Sequence, residues 1–310
     1  MSQRRFVVFL LGSLVFLGSG CGRDAREKPV DSLKDSASGS TLARSASGST
    51  GWDEASAGSF VLLSLGDDMI EAALVLPQET DSTLSKNPAP ALEGFANASV
   101  DLFSAAGYAG TSVLAVNSQQ QPGEGCLVWP SVRLTSKSAS AWKVGFASGK
   151  ATSIQIDSVG KLNSSDSLSI TIELAKLASA STTSDDPAFR GLPFTVQKAY
   201  RLAMGDTSVL VGSIVRKINE EANPREEHLL LVAERTGSSG NYASAFQSRS
   251  AGPEDAVRTN AVLAAVRFVK TKRAAIVISF EYDDGGQIAL LERMADHDWK
   301  ISWRSAYTGC

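Results

Sequence analysis

The feature that most constrains this chain is the alternation of apolar and polar residues that begins at Phe194 and runs toward the C-terminus, interrupted at short intervals by turn residues. Side chains on a strand point to opposite faces in turn, so period-2 patterning marks strands with one buried face. Phe194, Val196, Tyr200, Leu202 and Met204 fall on one face of such a strand, and Gly205-Asp206 turns the chain into Val209 to Ile218. Asn223-Pro224 marks a break before Leu229 to Ala233, and Val262 to Val269 reads as strand or helix. Ile276, Ile278, Phe280 and Tyr282 alternate, Asp283 to Gly286 reverse the chain, and Ile288, Leu290 and Met294 return. Asp296-His297-Asp298 turns it again into Trp299, Ile301, Trp303 and Tyr307. Strands at this spacing pair with their sequence neighbours. The prediction is a β-rich α+β fold, an antiparallel β-meander closed as a sandwich, barrel or curved sheet, with one or two helices.

The stretch before the meander is less regular. Phe60 to Leu65, Met69 to Leu76, Val100 to Phe103, Thr111 to Val116, Trp142 to Phe146 and Ile154 to Ile156 read as short strands. Cys126 to Leu134 reads as an edge strand, because Pro130 cannot donate to a ladder. Asp166 to Ser179 carries both a strand alternation and a helical face through Ile170, Leu174, Leu177 and Ala178. Its Leu, Ala, Glu and Lys content, with Asp166 available as a cap, predicts a helix. A boundary near Pro187 would divide residues 60–187, a mixed β/α part, from residues 188–310, the meander, unless 60–310 is one domain.

The N-terminus sets the expected address. Arg4 and Arg5 precede a twelve-residue apolar run, Phe6 to Leu17, and Gly18-Ser19-Gly20 places small residues before Cys21. Spanning a bilayer core of about 30 Å takes roughly 20 apolar residues, so the run is too short for an anchor and suits a cleaved signal over residues 1–20. The segment resembles the bacterial lipoprotein class, in which a peptidase cuts before a cysteine that is then acylated. The resemblance implies lipidation of Cys21 and attachment to a membrane, with the protein periplasmic or at the cell surface. Leu17 stands four residues before Cys21 and Gly18 three, and Gly18 with Gly20 also meets the small-x-small rule of ordinary signal cleavage. Residues 21–59 then read as a disordered Ser/Gly/Ala tether containing SASGST twice, with Trp52 the one residue suited to dock.

Composition removes some partners. With 30 Lys and Arg against 33 Asp and Glu, the net charge is −3, and no basic cluster marks a nucleic-acid surface. Only two histidines are present, His228 and His297, so a three-histidine metal site is impossible. Asp296-His297-Asp298 and Asp283-Asp284 sit in successive turns and should lie a strand length apart. His228, beside Glu226 and Glu227 at a strand start, fits the charged protection of a sheet edge. There is no G-x-S-x-G and no phosphate loop, so no catalytic residue, cofactor or metal is expected.

Three cysteines occur. With Cys21 acylated, Cys126 and Cys310 remain, and in an oxidising compartment they pair most simply as a disulfide. Trp129, Trp142, Trp299 and Trp303 either line a ligand groove or pack the core. The leading expectation is a non-catalytic, membrane-tethered binding or assembly module of the cell envelope with a protein partner. The alternatives are a small-ligand carrier or sensor with an aromatic-lined pocket, and an envelope hydrolase whose residues are dispersed in sequence.

Overall fold

The computed structural model of the chain describes residues 51–66, 69–84, 92, 94–115, 126–138, 140–180, 186–220, 223–237 and 240–309. The described residues thus include Gly51 to Ser59, which the tether reading had counted as linker. Trp52 is 9% exposed and packs edge-on against Trp303 at a centroid distance of 4.8 Å. The following turn of helix, α1 (Glu54–Ala57), is capped by the Asp53 carboxylate, which accepts from the Ser56 N–H at 3.3 Å. A single large indole supplies enough buried surface to hold a stretch whose neighbours are small and polar. The tether reading of residues 21–59 is corrected at this end.

The next strands close into a barrel. They are β1 (Val61–Ser64), β2 (Glu71–Val75), β3 (Ser99–Ser104), β4 (Gly107–Ala115), β5 (Ser131–Leu134) and β6 (Val144–Ala147), with a short helix, α2 (Asp81–Leu84), between β2 and β3. The order around the barrel is β1-β2-β5-β4-β3-β6, and β6 pairs back with β1. At the closing strand Gly145 lies opposite Leu62 on one side and Leu102 on the other. A Cβ there would stand 3.0 Å from Leu102 Cδ2 and 3.2 Å from Leu62 Cβ, so the absent side chain lets two fully buried leucines meet across the strand. The edge strand expected over Cys126 to Leu134 is corrected. Its strand part is only β5, which pairs with both β2 and β4. Pro130 sits just before the strand, where it owes no N–H to a ladder, and its carbonyl accepts from Leu74 N at 2.8 Å.

Two short strands follow, β7 (Ala151–Ser153) and β8 (Ile156–Ser158), and then the main helix, α3 (Ser164–Ala180). Asn163, not Asp166, caps it: the Asn163 side chain accepts from Asp166 N at 2.9 Å and donates to the Asp166 carboxylate at 3.1 Å. Ile170, Leu174 and Ala178 recur at four-residue spacing and form its buried stripe. No helix among the described residues is long and apolar enough to cross a membrane.

The meander forms two sheets. β9 (Thr195–Met204), β10 (Thr207–Ile218), β11 (Arg225–Thr236) and β12 (Ala243–Pro253) make one with β8, in the order β12-β11-β10-β9-β8. β13 (Thr259–Phe268), β14 (Ala274–Tyr282), β15 (Gly285–Ala295) and β16 (Asp298–Arg304) make the other with β7, in the order β16-β15-β14-β13-β7. A last strand, β17 (Thr308–Gly309), pairs with β15. The segment read as strand or helix from Val262 is β13. β7 and β8 precede Pro187 yet join sheets built from later strands, so the expected division does not separate the hydrogen-bonded units.

The layers stack as helix, sheet, sheet, barrel. α3 covers the first sheet through Leu210, Ile214, Leu229, Leu231 and Ala233. Gly212 admits Leu174, whose Cδ1 would be 3.1 Å from an added Cβ. Leu202, Val211, Leu230 and Val232 of the first sheet meet Ile276, Ile278 and Phe280 of the second. Ala275, Val277, Leu290 and Trp303 on the far face of the second sheet join the barrel core. The second sheet is thus apolar on both faces, which explains the unbroken run Ala274 to Phe280.

Two bulges redirect the alternation. Ser213 pairs with Lys198 but Ile214 pairs with Val196, which leaves Gln197 as an extra residue. Val196 and Phe194 consequently pack under α3, whereas Tyr200, Leu202 and Met204 face the second sheet; the five do not share one face. In β16, Leu290 pairs with Trp303 and Leu291 with Ile301, so Ser302 is extra. That sends Trp299 into the core between the sheets and Trp303 into the barrel core.

Candidate functional site

The four tryptophans singled out from the sequence do not form a common groove. Trp142 donates its indole N–H to Met69 O at 3.1 Å and Trp303 to Pro77 O at 3.1 Å, both in the barrel core. Trp299 donates to Glu234 Oε2 at 3.0 Å between the sheets. Each buried N–H is satisfied, as a packed indole requires. Trp129 alone lines a hollow.

That hollow lies where the barrel meets the second sheet and holds about 150 Å³, walled by Leu63, Trp129, Ser279, Glu281, Ser305 and Thr308. Ser279 Oγ donates to Glu281 Oε1 at 2.8 Å, and Ile288 N donates to Ser305 Oγ at 2.9 Å. Beyond Ser305 a wider cleft of about 420 Å³ is lined by Glu79, Thr80, Asp81, Ser82, Arg304 and Ala306. Burial pushes the Glu79 carboxyl above the usual carboxylate range. Asp81 Oδ1 accepts from Tyr307 N at 2.7 Å, while burial and then the neighbouring Asp284 push the Tyr307 phenol up. The cleft presents acids, hydroxyls and one guanidinium, a set suited to hydrogen-bonding a small polar group. Sequence patterning gave no sign of it, because residues 79–82 and 304–306 are more than 200 positions apart.

The described residues also bury charges that the sequence reading placed at a sheet edge. β11 lies between β10 and β12, so Glu226, Glu227 and His228 are interior, with Glu227 1% exposed and His228 5%. Glu227 bridges Arg216 and Arg249, and the Arg216 guanidinium lies 4.5 Å from the Phe194 ring centre. Glu226 pairs with Lys217 and with His228 Nε2, the latter at 2.5 Å, while His228 Nδ1 has no hydrogen-bond partner among the described residues. Burial pushes the Glu226 carboxyl up, but the bonds from Lys217 and His228 outweigh it and the pKa is lowered. The signal was present in the sequence. Arg216-Lys217 and Glu226-Glu227 are equidistant from the 219–224 turn, and hairpin register pairs Arg216 with Glu227 and Lys217 with Glu226.

Glu234, fully buried, is the centre of a second cluster. It accepts from Arg293 Nε at 3.0 Å, from Trp299 Nε1 at 3.0 Å and from His297 N at 3.3 Å. The Asp296-His297-Asp298 turn is therefore docked on the first sheet, with Asp296 held by Arg293 at 2.6 Å. Asp283 and Asp284 stand at the other end of β15, as the meander geometry required. Among the described residues no group of three or more His, Cys, Asp or Glu could hold a metal ion.

Of the cysteines, Cys126 lies just before Leu127, which exchanges two backbone hydrogen bonds of 2.9 Å with Gly309. Cys21 and Cys310, with the signal segment, lie outside the described residues. Compared with known proteins, this chain matches no family model, no curated protein and no solved structure.

Proposed function

We propose that the protein is an exported module, acylated at Cys21 and tethered to a membrane, that binds a protein partner in the cell envelope and performs no covalent chemistry. The observation that carries this reading is how the tether meets the body. A signal-like N-terminus and Cys21 precede a stretch poor in large apolar residues, and that stretch ends at Trp52, whose indole is buried against Trp303. Pull on the lipid end is thereby delivered to the barrel core. The roughly 30 residues between Cys21 and Trp52 are enough chain to let the body meet partners on or near the same membrane.

Replacing Cys21 with Ser should move the protein from the membrane to the soluble envelope fraction; unchanged membrane association sinks the acylation. Crosslinking in intact cells should trap a protein partner, and recovery of none would count against the binding role. A second reading rests on the 420 Å³ cleft of Glu79, Asp81 and Arg304, which falls in the size range of small-molecule sites and makes a polar-ligand carrier the alternative. The Trp129 hollow, at about 150 Å³, is below that range, so an aromatic-lined carrier pocket has less support.

A further inference from the structure

We propose that β12, the outermost strand of the first sheet, pairs antiparallel with β12 of a second copy of this chain, about a twofold axis at Ser248. A strand at a sheet edge presents a row of N–H and C=O groups that templates another strand, and proteins blunt such rows with short strands, bulges, lysines or a covering segment. The other ends of the two sheets are blunted in these ways. β7 and β8 are three residues each, and the strands they leave partly open, β13 and β9, carry extra residues at Leu263 and Gln197. β16 carries the Ser302 bulge, and Gly51 lies so close to it that an added Cβ would stand 2.3 Å from Ser302 O. β12 differs. It runs eleven residues without a lysine, its one charge, Arg249, is held by Glu227 at 3.1 Å, and among the described residues no strand lies on its outer side. Its bulge, at Ala245, leaves Phe246 to Pro253 in unbroken register with β11.

The phase of that ladder fixes which groups face outward. Glu254 N donates to Pro224 O at 3.1 Å, so Glu254 and every second residue before it bond toward β11. Ala251 has the opposite phase and turns its N–H and C=O to the open side. A twofold axis perpendicular to the sheet keeps each face on its own side, so residues of like facing meet and the axis passes through a residue. At Arg249 it would set two guanidinium groups opposite each other, which is unfavourable. At Ser248 it sets Arg249 opposite Gln247 of the second copy, and exposed Glu254 beside Tyr242 of the second copy. That end of the strand is positive. The Arg235 guanidinium lies 4.5 Å from the Tyr242 ring centre, and its Nε has no hydrogen-bond partner among the described residues. Glu254 and Asp255 of each copy thus approach Arg235 of the other at both ends of the paired strands. This self-complementarity selects a second copy over an unrelated extended segment. The pairing needs neither export nor acylation, so it stands or falls apart from the tether reading.

The test is sedimentation of the full-length protein in detergent micelles, which should show a reversible monomer–dimer equilibrium; monomer at every concentration overturns the proposal. Ala251→Pro removes an N–H that faces outward and leaves the ladder with β11 whole, so it should weaken dimerisation about tenfold or more while Ala251→Ser retains it. An unchanged dimer in Ala251→Pro overturns the pairing. Should Ala251→Pro fail to fold, charge exchange decides. Arg235→Glu and Glu254→Arg should each weaken the dimer about threefold, and the double variant should restore it; no restoration overturns the register at Ser248 and the proposal with it. A photocrosslinking residue at position 251 in intact cells should join two copies of this chain. Capture there of a different protein overturns the second copy as occupant.

Discussion

The barrel and the stacked sheets solve the same problem, burying short apolar segments, in opposite ways. In the sheets, β9 to β12 and β13 to β16 pair with their immediate sequence neighbours, and the strands from β9 to β15 run nine to twelve residues. In the barrel the strands run four to nine residues, and three of six pairings, β2 with β5, β3 with β6 and β1 with β6, skip along the chain. Long local hairpins carry their own register. Short non-local strands obtain theirs only from closure and from the shared core with the second sheet. The difference teaches that the barrel depends on the sheets more than the sheets depend on the barrel.

The sharpest break of that dependence is Trp303→Ala, which empties the site where β16, Trp52 and the barrel core meet; a loss of about 3–5 kcal/mol is expected. Urea unfolding should then resolve into two transitions, barrel first, whereas the parent unfolds in one. A single shifted transition would show that the two parts remain coupled by other contacts.

Glu234→Ala tests the other half. It leaves Arg293 and the Trp299 N–H without their acceptor inside the sheets, and a loss of about 3 kcal/mol is expected. Glu234 also gives a pH signature. Burial pushes its carboxyl up, but hydrogen bonds from Arg293, Trp299 and the His297 N–H bring the folded-state pKa below its ordinary 4.5. A depressed folded pKa stabilises above the unfolded value, and that contribution is lost as pH falls through the folded value. Urea midpoints should therefore fall as the pH drops below about 4.5 in the parent and fall less in Glu234→Gln; equal acid limbs in the two proteins would remove Glu234 from the account.

Within the barrel, Gly145→Val should cost about 1–3 kcal/mol by forcing Leu62 and Leu102 apart, and the exchange of β1 and β6 amides should rise more than that of β10 and β11. Equal rises would mean the barrel does not open separately. The smallest effect belongs to the outer face of α3. Leu168→Ser and Ile172→Ser, at positions 61% and 57% exposed, should each stay within about 0.5 kcal/mol by thermal denaturation.

The meander was legible because each strand's alternation and each turn are local. α3 was legible for the same reason, with the cap displaced from Asp166 to Asn163 because Asn163 bonds both the N–H and the carboxylate of Asp166. The barrel's order was not legible, since nothing within Val61 to Ser64 specifies that it pairs with Val144 to Ala147. Nor was the fate of the tryptophans. Trp299 and Trp303 share one face by count, and only the extra residue Ser302 separates them into two cores.

What the sequence alone determined is the β-rich class, the meander and the position of the main helix, because hydrophobic period and turn chemistry act over a few residues. Only the tertiary structure decided that the meander divides into two sheets, that both faces of the second are buried, and that Glu226, Glu227 and His228 are interior. These follow from which layer lies against which, a choice made by the summed burial of faces far apart in the chain. The same holds at the tail. Leu127 and Gly309, far apart in the chain, exchange backbone hydrogen bonds beside the start of β15, where Gly309 pairs with Gly285.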